Sequence, residues 1–471
     1  MTPVIFAWIL GVTAVAPATR ARAAPAAQVQ EPAGGLAAPS PPARAPTLAP
    51  PPPPSRVLTL AEALRAALAR QPQLLQAQAG TRAATARADE SRAPLLPQLS
   101  GSASYQRTTS NFTPRPGSTF STGQLPSSSW KTTDYYSFGA TLSQLIYDFG
   151  QTSGRWRAAQ ASAAALRDTE SYTVVQVTLG VESAYFTARA GKDLVTVARD
   201  NLANQDAHLR QTEGFVRAGT RPEIDLAQAR TDRANALVQL INAENAYETE
   251  KAQLNQAMGL EGPTDYDVAN DTLPPVEGED LAIDPLLAEA LKHRQDVASL
   301  EQQARAQELT LRAVRGAYWP ALGVSTGLDN AGVSLDSTVW NWNATATLSW
   351  NVFQGGLTRA QAQEARANLD SVQAQASALR QQVRVDVEQA RLAVRASRQS
   401  LAATEEALVN ARERLRLAEG RYQAGAGSAI ELGDAQVALT TAAAQRVQAE
   451  YNLSTSRAQL LRALGREVPR T

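Results

Sequence analysis

Few residues of this sequence could carry out chemistry. The chain has two histidines, His208 and His293, and no cysteine. The missing cysteine excludes disulfides, thiolate metal sites, thiol catalysis and an N-terminal lipid-modified cysteine, and two histidines make a zinc site or a catalytic triad hard to build. The paired carboxylates Asp265 and Asp267 lie in a polar loop without a clustered base, nucleophile or cofactor motif. The sequence therefore predicts a protein that is not an enzyme and that holds no metal or cofactor.

The length and charge of the chain narrow the range of partners. Its 471 residues could form two or three ordinary domains. The 45 basic and 45 acidic residues leave no net charge. Electrostatics alone therefore predicts no nucleic-acid partner and no attraction to an anionic membrane surface.

The N-terminal region has the composition of a segment that precedes the folded protein. An apolar stretch over residues 4–15 is too short to span a bilayer, and Ala21-Arg22-Ala23 follows it, so residues 1–24 are interpreted as a cleaved secretory signal peptide. The region before the apolar stretch has no lysine or arginine, which leaves open a disordered start on a cytosolic protein. Residues 25–56 are rich in alanine and proline and predict an extended linker.

The rest of the sequence contains two copies of one unit. A shift of 206 residues aligns 140–259 with 346–465 without a gap, and a shift of 223 aligns 58–105 with 281–328. The shifts differ because the first half has the longer insert, 108–133, between its strands. We therefore predict repeat 1 over 57–259, a linker or equatorial region over 260–280, repeat 2 over 281–465 and a tail over 466–471. Each repeat reads helix, strand, loop, strand, long helix, turn, long helix.

The long helical regions have a seven-residue apolar period. In the second repeat the period is carried by Val387, Val394, Leu401, Leu408, Leu415 and Tyr422. This is the period of a coiled coil, and a continuous helix over 154–213 would be about 90 Å long. Periodicity alone also allows an ordinary antiparallel coiled-coil hairpin.

Four segments alternate with the period of a β-strand, at about 98–107, 134–148, 321–330 and 338–352. The last of them, WNWNATATLSWNVF (340–353), places tryptophan and aliphatic residues on one face and asparagine, threonine and serine on the other. Such strands suit either a membrane barrel with a watery lumen or a soluble sheet with one face on a core. The alanine-rich, polar helices offer little to cover an apolar face, which favours the barrel. Four strands cannot close a barrel, so we expect three copies to contribute twelve.

The duplicated motifs resemble those of the outer membrane factors typified by TolC, over about residues 57–466. The resemblance lies in the paired strand-to-helix junctions, 145–150 and 350–356, and in the paired helical turns, FVRAGTRPEIDLAQAR (215–230) and RYQAGAGSAIELGDAQ (421–436). It implies a homotrimer with a 12-stranded outer-membrane barrel, a periplasmic α-helical tunnel and an equatorial region. It also implies an exit duct for a tripartite efflux pump or a type I secretion system, with a periplasmic adaptor, an inner-membrane transporter and outer-membrane lipid as partners.

The resemblance assigns roles to residues at the two helical turns, which in the family form the periplasmic entrance. Glu431 and Asp434 match carboxylates that line the constriction, where rings of negative charge would favour cations. Glu431 also fits a capping box with Ser428, which would satisfy an amide at the start of the helix. Gly219 and Gly425 match the turns where adaptors dock and are expected in the left-handed conformation.

A further set of residues matches a lock that holds the entrance shut in the family, through a Tyr and an Arg of the second turn and an Asp of the first. Tyr422 and Asp225 match the Tyr and the Asp, whereas Gly427 occupies the Arg position. Arg221 holds the equivalent place in the first turn, so we predict a weaker or rearranged lock. Four tryptophans are expected at the membrane interfaces: Trp319, Trp340, Trp342 and Trp350.

Two other functions fit parts of the sequence. A periplasmic coiled-coil scaffold or adaptor with a soluble sheet would need no membrane. A self-contained porin or autotransporter would need at least about eight strands in one chain, and the sequence has four. The exit duct accounts for the strands and the helices together.

Overall fold

The computed structural model describes residues 56–109 and 130–466. The predicted signal peptide lies outside these residues, as do the linker except for Arg56 and the tail except for Arg466. Most of the predicted loop 108–133 also lies outside them. Among the described helices, none combines the length and the apolar character needed to cross a membrane.

Long helices dominate the described chain, and its two halves contain helices of matching length. The first half contains β1 (Val57–Leu58), α1 (Leu60–Arg70), α2 (Pro72–Arg92), a short 3-10 helix (Ala93–Leu95), β2 (Gln98–Thr109), β3 (Thr132–Tyr147), α3 (Gln151–Arg217) and α4 (Glu223–Met258). The second half contains β4 (Asp267–Val268), α5 (Ile283–His293), α6 (Gln295–Gly316), β5 (Ala321–Gly332), β6 (Val339–Ser349), α7 (Leu357–Gln423) and α8 (Ala429–Leu464). Both α3 and α7 have 67 residues, and both α4 and α8 have 36. At about 1.5 Å per residue, α3 and α7 are each about 100 Å long, which exceeds the predicted helix over 154–213.

The single helix predicted at the start of each half is wrong, because the backbone is extended at one residue within it. Gln71 has φ −61° and ψ 119°, and the proline that follows it disfavours a helical conformation at the preceding residue. Arg294 has φ −71° and ψ 121° without a following proline. Its guanidinium binds Asp296 at 2.7 Å and Asp386 of α7 at 2.9 Å, and these contacts hold the break in place.

The glycine that ends each half packs closely against the break between the first two helices of the same half. Gly259 follows α4 and Gly465 follows α8, with φ of 68° and 70°. A Cβ on Gly259 would lie 2.9 Å from the Cα of Gln71, and a Cβ on Gly465 would lie 2.9 Å from the carbonyl carbon of His293. Glycine is therefore required twice over, for the left-handed backbone and for the close approach.

We expect Gly259→Ala to destabilise the protein by about 2–4 kcal/mol, from the left-handed backbone and the contact with the Gln71 backbone together. The measurement is the thermal unfolding midpoint of the detergent-purified protein, followed by circular dichroism. The control is Gly80→Ala, in α2, where an added Cβ would meet no atom within 4 Å. That substitution is expected to stabilise by about 0.5–1 kcal/mol. Equal midpoints for the two variants would contradict the packing role of Gly259.

The described strands form one antiparallel sheet of four, in the order β2-β3-β5-β6, and a separate parallel pair, β1 with β4. The four strands predicted from alternation are confirmed, with shifted ends. The strand predicted at 338–352 ends at Ser349, so Trp350 lies in the connection to α7. Gly355 and Gly356, with φ of 60° and 86°, turn the chain there into the helix.

The register of the sheet separates two kinds of side chain. One face carries, strand by strand, Leu99, Ala103 and Tyr105; Tyr136, Phe138 and Leu142; Leu322, Val324 and Leu328; and Trp340, Trp342, Ala346 and Leu348. The other face carries mainly serine, threonine, asparagine and glycine. Every residue of β6 is exposed. The apolar face of this strand is therefore not packed on another part of the described chain.

The buried core lies around the middle of the long helices. Val181 and Tyr185 of α3 pack with β1, β4 and the end of α4 at Met258, whereas Val387 of α7 packs with α5 and with Leu460 of α8. The segment predicted as a linker supplies β4 to this region. Of the six α7 residues that carry the predicted seven-residue apolar period, five are buried: Val387, Val394, Leu408, Leu415 and Tyr422.

Candidate functional site

The two helical turns, here called tip 1 (residues 218–222, between α3 and α4) and tip 2 (424–428, between α7 and α8), have the same backbone construction. Gly219 and Gly425 have φ of 70° and 75°, so the predicted left-handed conformation is confirmed. The amide of Thr220 donates to the carbonyl of Phe215 at 3.0 Å, and the amide of Ala426 donates to that of Arg421 at 2.9 Å. Each tip thus ends its long helix with a Schellman-type cap.

Arg221 of tip 1 reaches across to tip 2. Its Nη2 donates to the carbonyl oxygen of Gly427 at 3.1 Å, and its guanidinium carbon lies 4.5 Å from the ring centroid of Tyr422. Its Nη1 also lies 3.9 Å from the carboxylate of Asp225, in the first turn of α4. The structure therefore brings the predicted lock residues together, with Arg221 at their centre.

The contacts among the predicted lock residues differ from the arrangement that the resemblance implies. No hydrogen bond joins Tyr422 to Asp225 among the described residues, and the Tyr422 hydroxyl is buried without a partner there. At Gly427, a Cβ would lie 2.9 Å from the amide nitrogen of Tyr422, so a larger side chain does not fit without a shift. The backbone carbonyl at this position accepts the arginine from the other tip instead. The rearranged lock stays a prediction, and these contacts are the ones it would use.

The two predicted gate carboxylates have different surroundings. The amide of Glu431 donates to the Ser428 hydroxyl at 3.1 Å, which is one half of the predicted capping box. The other half is absent, because the Glu431 carboxylate accepts from Nη1 of Arg421 at 2.7 Å. Asp434 is exposed, and no hydrogen bond or ion pair to its carboxylate occurs in the described part of the chain. Asp434 thus presents the less compensated negative charge.

A polar layer lies next to the tips, and the sequence analysis did not find it. We define it as Gln205, His208 and Thr212 of α3, Tyr422 of α7 and Gln436 of α8. Gln205 donates to Gln436 at 3.0 Å, and the rings of His208 and Tyr422 are 5.4 Å apart in an edge-on arrangement. The spacing of the three α3 residues, which places them on one helix face, was the available signal.

The layer forms part of the contact between the two halves. Nearer the core, the same helices meet again where Arg189 of α3 binds Glu450 of α8 and where Thr187 contacts the Tyr451 hydroxyl at 3.4 Å. The two helical hairpins therefore lie side by side, tied at several levels. An isolated antiparallel hairpin would have no such ties.

The tryptophans of the sheet fall into two groups. Trp340 and Trp342 lie at the start of β6, far from the helices, with exposed fractions of 69% each. Trp319 and Trp350 lie at the helix end of the sheet and are also exposed. Trp340 and Trp350 are ten residues apart, or about 33 Å along a strand and about 23 Å along an axis tilted by about 45°. Two aromatic bands at this separation match the height of the apolar band of an outer-membrane strand, about 25 Å.

The strand-to-helix junction of the first half contains a strained aromatic residue. Phe149 has φ 53°, the one positive value at a non-glycine residue in the described chain, and it corresponds to Gly355 in the second half. Its ring stacks on Trp319, with centroids 5.4 Å apart, and contacts Tyr147 at 4.8 Å. These aromatic contacts, at the helix end of the sheet, offset the energetic cost of a left-handed backbone conformation that glycine adopts more readily.

No group of three or more histidine, aspartate or glutamate side chains that could hold a metal ion occurs among residues 56–109 and 130–466. Within the described residues, the arrangement offers contacts and charges at the tips and an exposed apolar face on the sheet.

Comparisons with known proteins agree with this geometry. The family model described as outer membrane efflux protein matches residues 63–260 and 286–466. The solvent efflux pump outer membrane protein SrpC of Pseudomonas putida is 27% identical, over 45% of this chain and 46% of its own length. The pyoverdine export outer membrane protein OpmQ of Pseudomonas putida is 27% identical, over 83% of this chain and 82% of its own length. The chain spans about half the length of the first curated relatives that it matches.

The fold is also that of solved channel structures. The outer membrane channel CmeC of Campylobacter jejuni superposes with a TM-score of 0.75 at 19% identity, covering 86% of this chain and 85% of that chain. The long helical hairpins and the four-stranded sheet are thus a known arrangement.

Proposed function

Because the chain belongs to the outer membrane efflux protein family, we propose that it is the outer-membrane exit duct of a tripartite efflux pump or a type I secretion system. It lies in the outer membrane, and its helices extend into the periplasm. The observation that carries the proposal is the sheet, whose apolar face is exposed along β6 and bounded by two bands of tryptophan. A soluble scaffold would bury that face, since water disfavours so large an apolar surface.

The duct is a homotrimer with a 12-stranded barrel. Within the described chain, β2 and β6 are the edges of the four-stranded sheet, and open edges are not tolerated in lipid. Three copies close twelve strands edge to edge, with the apolar face toward lipid and the small polar face toward a watery lumen. The equal lengths of α3 and α7 and of α4 and α8 support the proposed origin by duplication.

The helices form the periplasmic tunnel, and the tips form its entrance. At about 100 Å, α3 and α7 are long enough to carry the tips far from the membrane. A periplasmic adaptor docks at the turns of Gly219 and Gly425, and an inner-membrane transporter supplies the substrate. The lock of Arg221, Tyr422 and Asp225 holds the entrance closed until the adaptor engages.

The entrance selects by charge. Threefold repetition places Asp434 and Glu431 in rings around the axis, which favours cations. Arg421 neutralises part of the Glu431 charge, so Asp434 carries more of the selectivity. The relatives named for solvent efflux and pyoverdine export favour small solutes over polypeptides as the cargo.

The test is the single-channel conductance and ion selectivity of the detergent-purified protein in a planar bilayer. We expect a small, cation-preferring conductance, and we expect Glu431→Ala/Asp434→Ala to increase it and to reduce the cation preference several-fold. The control is Glu364→Ala/Asp370→Ala, which makes the same change of charge at the other end of α7 and is expected to keep the preference. If no variant conducts and buffer alone extracts the protein, the scaffold function is correct instead.

A further inference from the structure

The polar layer beside the tips contains several buried polar atoms without partners. Apart from the bond between Gln205 and Gln436, hydrogen-bond partners within the described residues are missing for Gln205 Oε1, His208 Nδ1, Thr212 Oγ1 and the Tyr422 hydroxyl. Thr212 is fully buried and Tyr422 is 1% exposed. A buried polar group without a partner destabilises the arrangement that buries it. The layer is therefore a weak seam between α3 and the second hairpin.

His208 occupies a defined position in this seam. Its ring lies 5.4 Å from the Tyr422 ring, at an interplanar angle of 66°, and Tyr422 packs with Phe215, Leu415 and Leu432 in the apolar cluster behind tip 2. Arg221 lies over the same tyrosine ring at 4.5 Å. A neutral imidazole fits this contact as an aromatic group, whereas an imidazolium would be a second positive charge on the ring that Arg221 already covers, and the two like charges would repel.

Groups of α4, α7, α8 and tip 1 make up the surroundings of His208. Burial lowers the pKa of His208 below its ordinary value, and the carboxylates of Asp232 and Asp225 on α4 oppose that effect only in part. From α7 it meets the Tyr422 ring, which Arg221 of tip 1 also contacts, and in the layer α8 contributes the uncharged Gln436. The imidazole is therefore neutral at neutral pH while the helices are in contact.

The direction of the pH effect follows from linkage. A histidine whose pKa is lowered in the closed arrangement binds a proton less readily there than when the helices separate and water reaches it. The closed arrangement is therefore fully stabilised above the ordinary histidine pKa of about 6.5, and it loses stability relative to the open one as the pH falls below that value.

We propose that the contact between His208 and Tyr422 is an acid-sensitive tie between the two helical hairpins, which makes the entrance easier to open when the periplasm is acidic. The consequence for conductance rests on the exit-duct function proposed above. The tie itself, as a contact between α3 and α7, does not depend on that function.

The first test is the conductance of the purified protein at about pH 7.5 and about pH 5.5 on the periplasmic side, a range that spans the ordinary histidine pKa. We expect the open probability to rise several-fold on acidification, and we expect His208→Phe, which keeps an aromatic ring but does not titrate, to abolish the rise. His208→Gln serves as a second non-titrating variant if the phenylalanine perturbs folding. The control is His293→Gln, which removes the other histidine of the chain and is expected to keep the full response.

A second test measures separation of the helices without using conductance. The chain has no cysteine, so Gln205→Cys/Gln436→Cys introduces a single pair at a contact that the native side chains bridge at 3.0 Å. We expect a short thiol-specific cross-linker to join the pair less completely at about pH 5.5 than at about pH 7.5, by a larger factor with His208 than with Phe at that position. The comparison at equal pH removes the effect of pH on thiol reactivity.

The two tests separate the tie from the duct. An equal pH response of His208→Phe and the unsubstituted protein in the cross-linking measurement would overturn the tie, whether or not the channels conduct. If no variant conducts at either pH but cross-linking still falls on acidification only with His208, the tie stands and the exit-duct function fails. A response in both measurements that requires His208 supports the two proposals together.

Discussion

Arg221→Ala is expected to shift the entrance toward its open arrangement by about 2–3 kcal/mol, or roughly 30- to 150-fold in the ratio of open to closed channels. The substitution removes the donor to the Gly427 carbonyl, the cation over the Tyr422 ring and the neighbour of Asp225 at one time. The first two contacts join Arg221 to the second hairpin, at Gly427 of tip 2 and at Tyr422 of α7, and no other side chain of tip 1 donates a hydrogen bond to tip 2 in the described structure. Single-channel recordings give the ratio directly.

Neighbouring variants separate the lock from a general effect of charge. Arg217→Ala removes an exposed arginine from the last turn of α3 and is expected to leave the ratio unchanged. Tyr422→Phe keeps the ring beneath Arg221 and removes a hydroxyl that has no described partner, so the entrance should remain closed. Asp225→Ala, which removes a carboxylate 3.9 Å from the arginine, should have a smaller effect than Arg221→Ala. Equal conductance of Arg221→Ala and Arg217→Ala would rule out the lock.

The largest effect on stability is expected from Arg294→Ala, at about 3–5 kcal/mol. The Arg294 side chain is 6% exposed and binds Asp296 at 2.7 Å and Asp386 at 2.9 Å. Its removal leaves two carboxylates facing each other at the helix break, with the Asp296 side chain only 14% exposed. Chemical denaturation of the purified protein, followed by circular dichroism, measures the loss.

A surface ion pair on the same helices provides the control for this prediction. Arg380 of α7 binds Glu301 of α6 at 3.0 Å, but both side chains are about half exposed, at 52% and 56%. Arg380→Ala is therefore expected to cost no more than about 1 kcal/mol. A similar cost for the two substitutions would show that burial of the Arg294 cluster contributes little to the stability of the fold.

The periodic parts of the fold were readable from the sequence because one face of each element is uniform. The alternation of apolar and polar residues predicted all four strands, with ends correct to within a few residues. The seven-residue apolar period predicted α7. The two helix breaks differ in this respect, because the sequence marks one of them and not the other. Pro72 signals the first break by its own chemistry, whereas the second, at Arg294, depends on carboxylates of which one lies 92 residues away in α7. No local pattern contains that contact.

At the tips, the sequence supplied the participants but not the contacts between them. The acceptor of Arg221 is the backbone carbonyl of Gly427, and every residue type has such a carbonyl, so sequence does not mark it. The ion pair of Glu431 with Arg421 was missed for a related reason. The two lie ten residues apart on either side of a turn, and only the turn brings them together. Phe149 is a third case, since its left-handed backbone is marked by glycine in the other half alone.

The unpaired edge strands of the sheet also affect the order in which newly made chains associate and enter the membrane. A single chain that entered the membrane would expose two rows of unpaired amides and carbonyls, at β2 and β6, to hydrocarbon. Each such group costs several kcal/mol in lipid, so insertion of one chain alone is strongly disfavoured. For the proposed homotrimer, association must then precede or accompany insertion, and the rate of maturation should rise more steeply than in proportion to the concentration of newly exported chains. Dilute chains would wait in the periplasm, with their apolar strands exposed to aggregation or proteolysis.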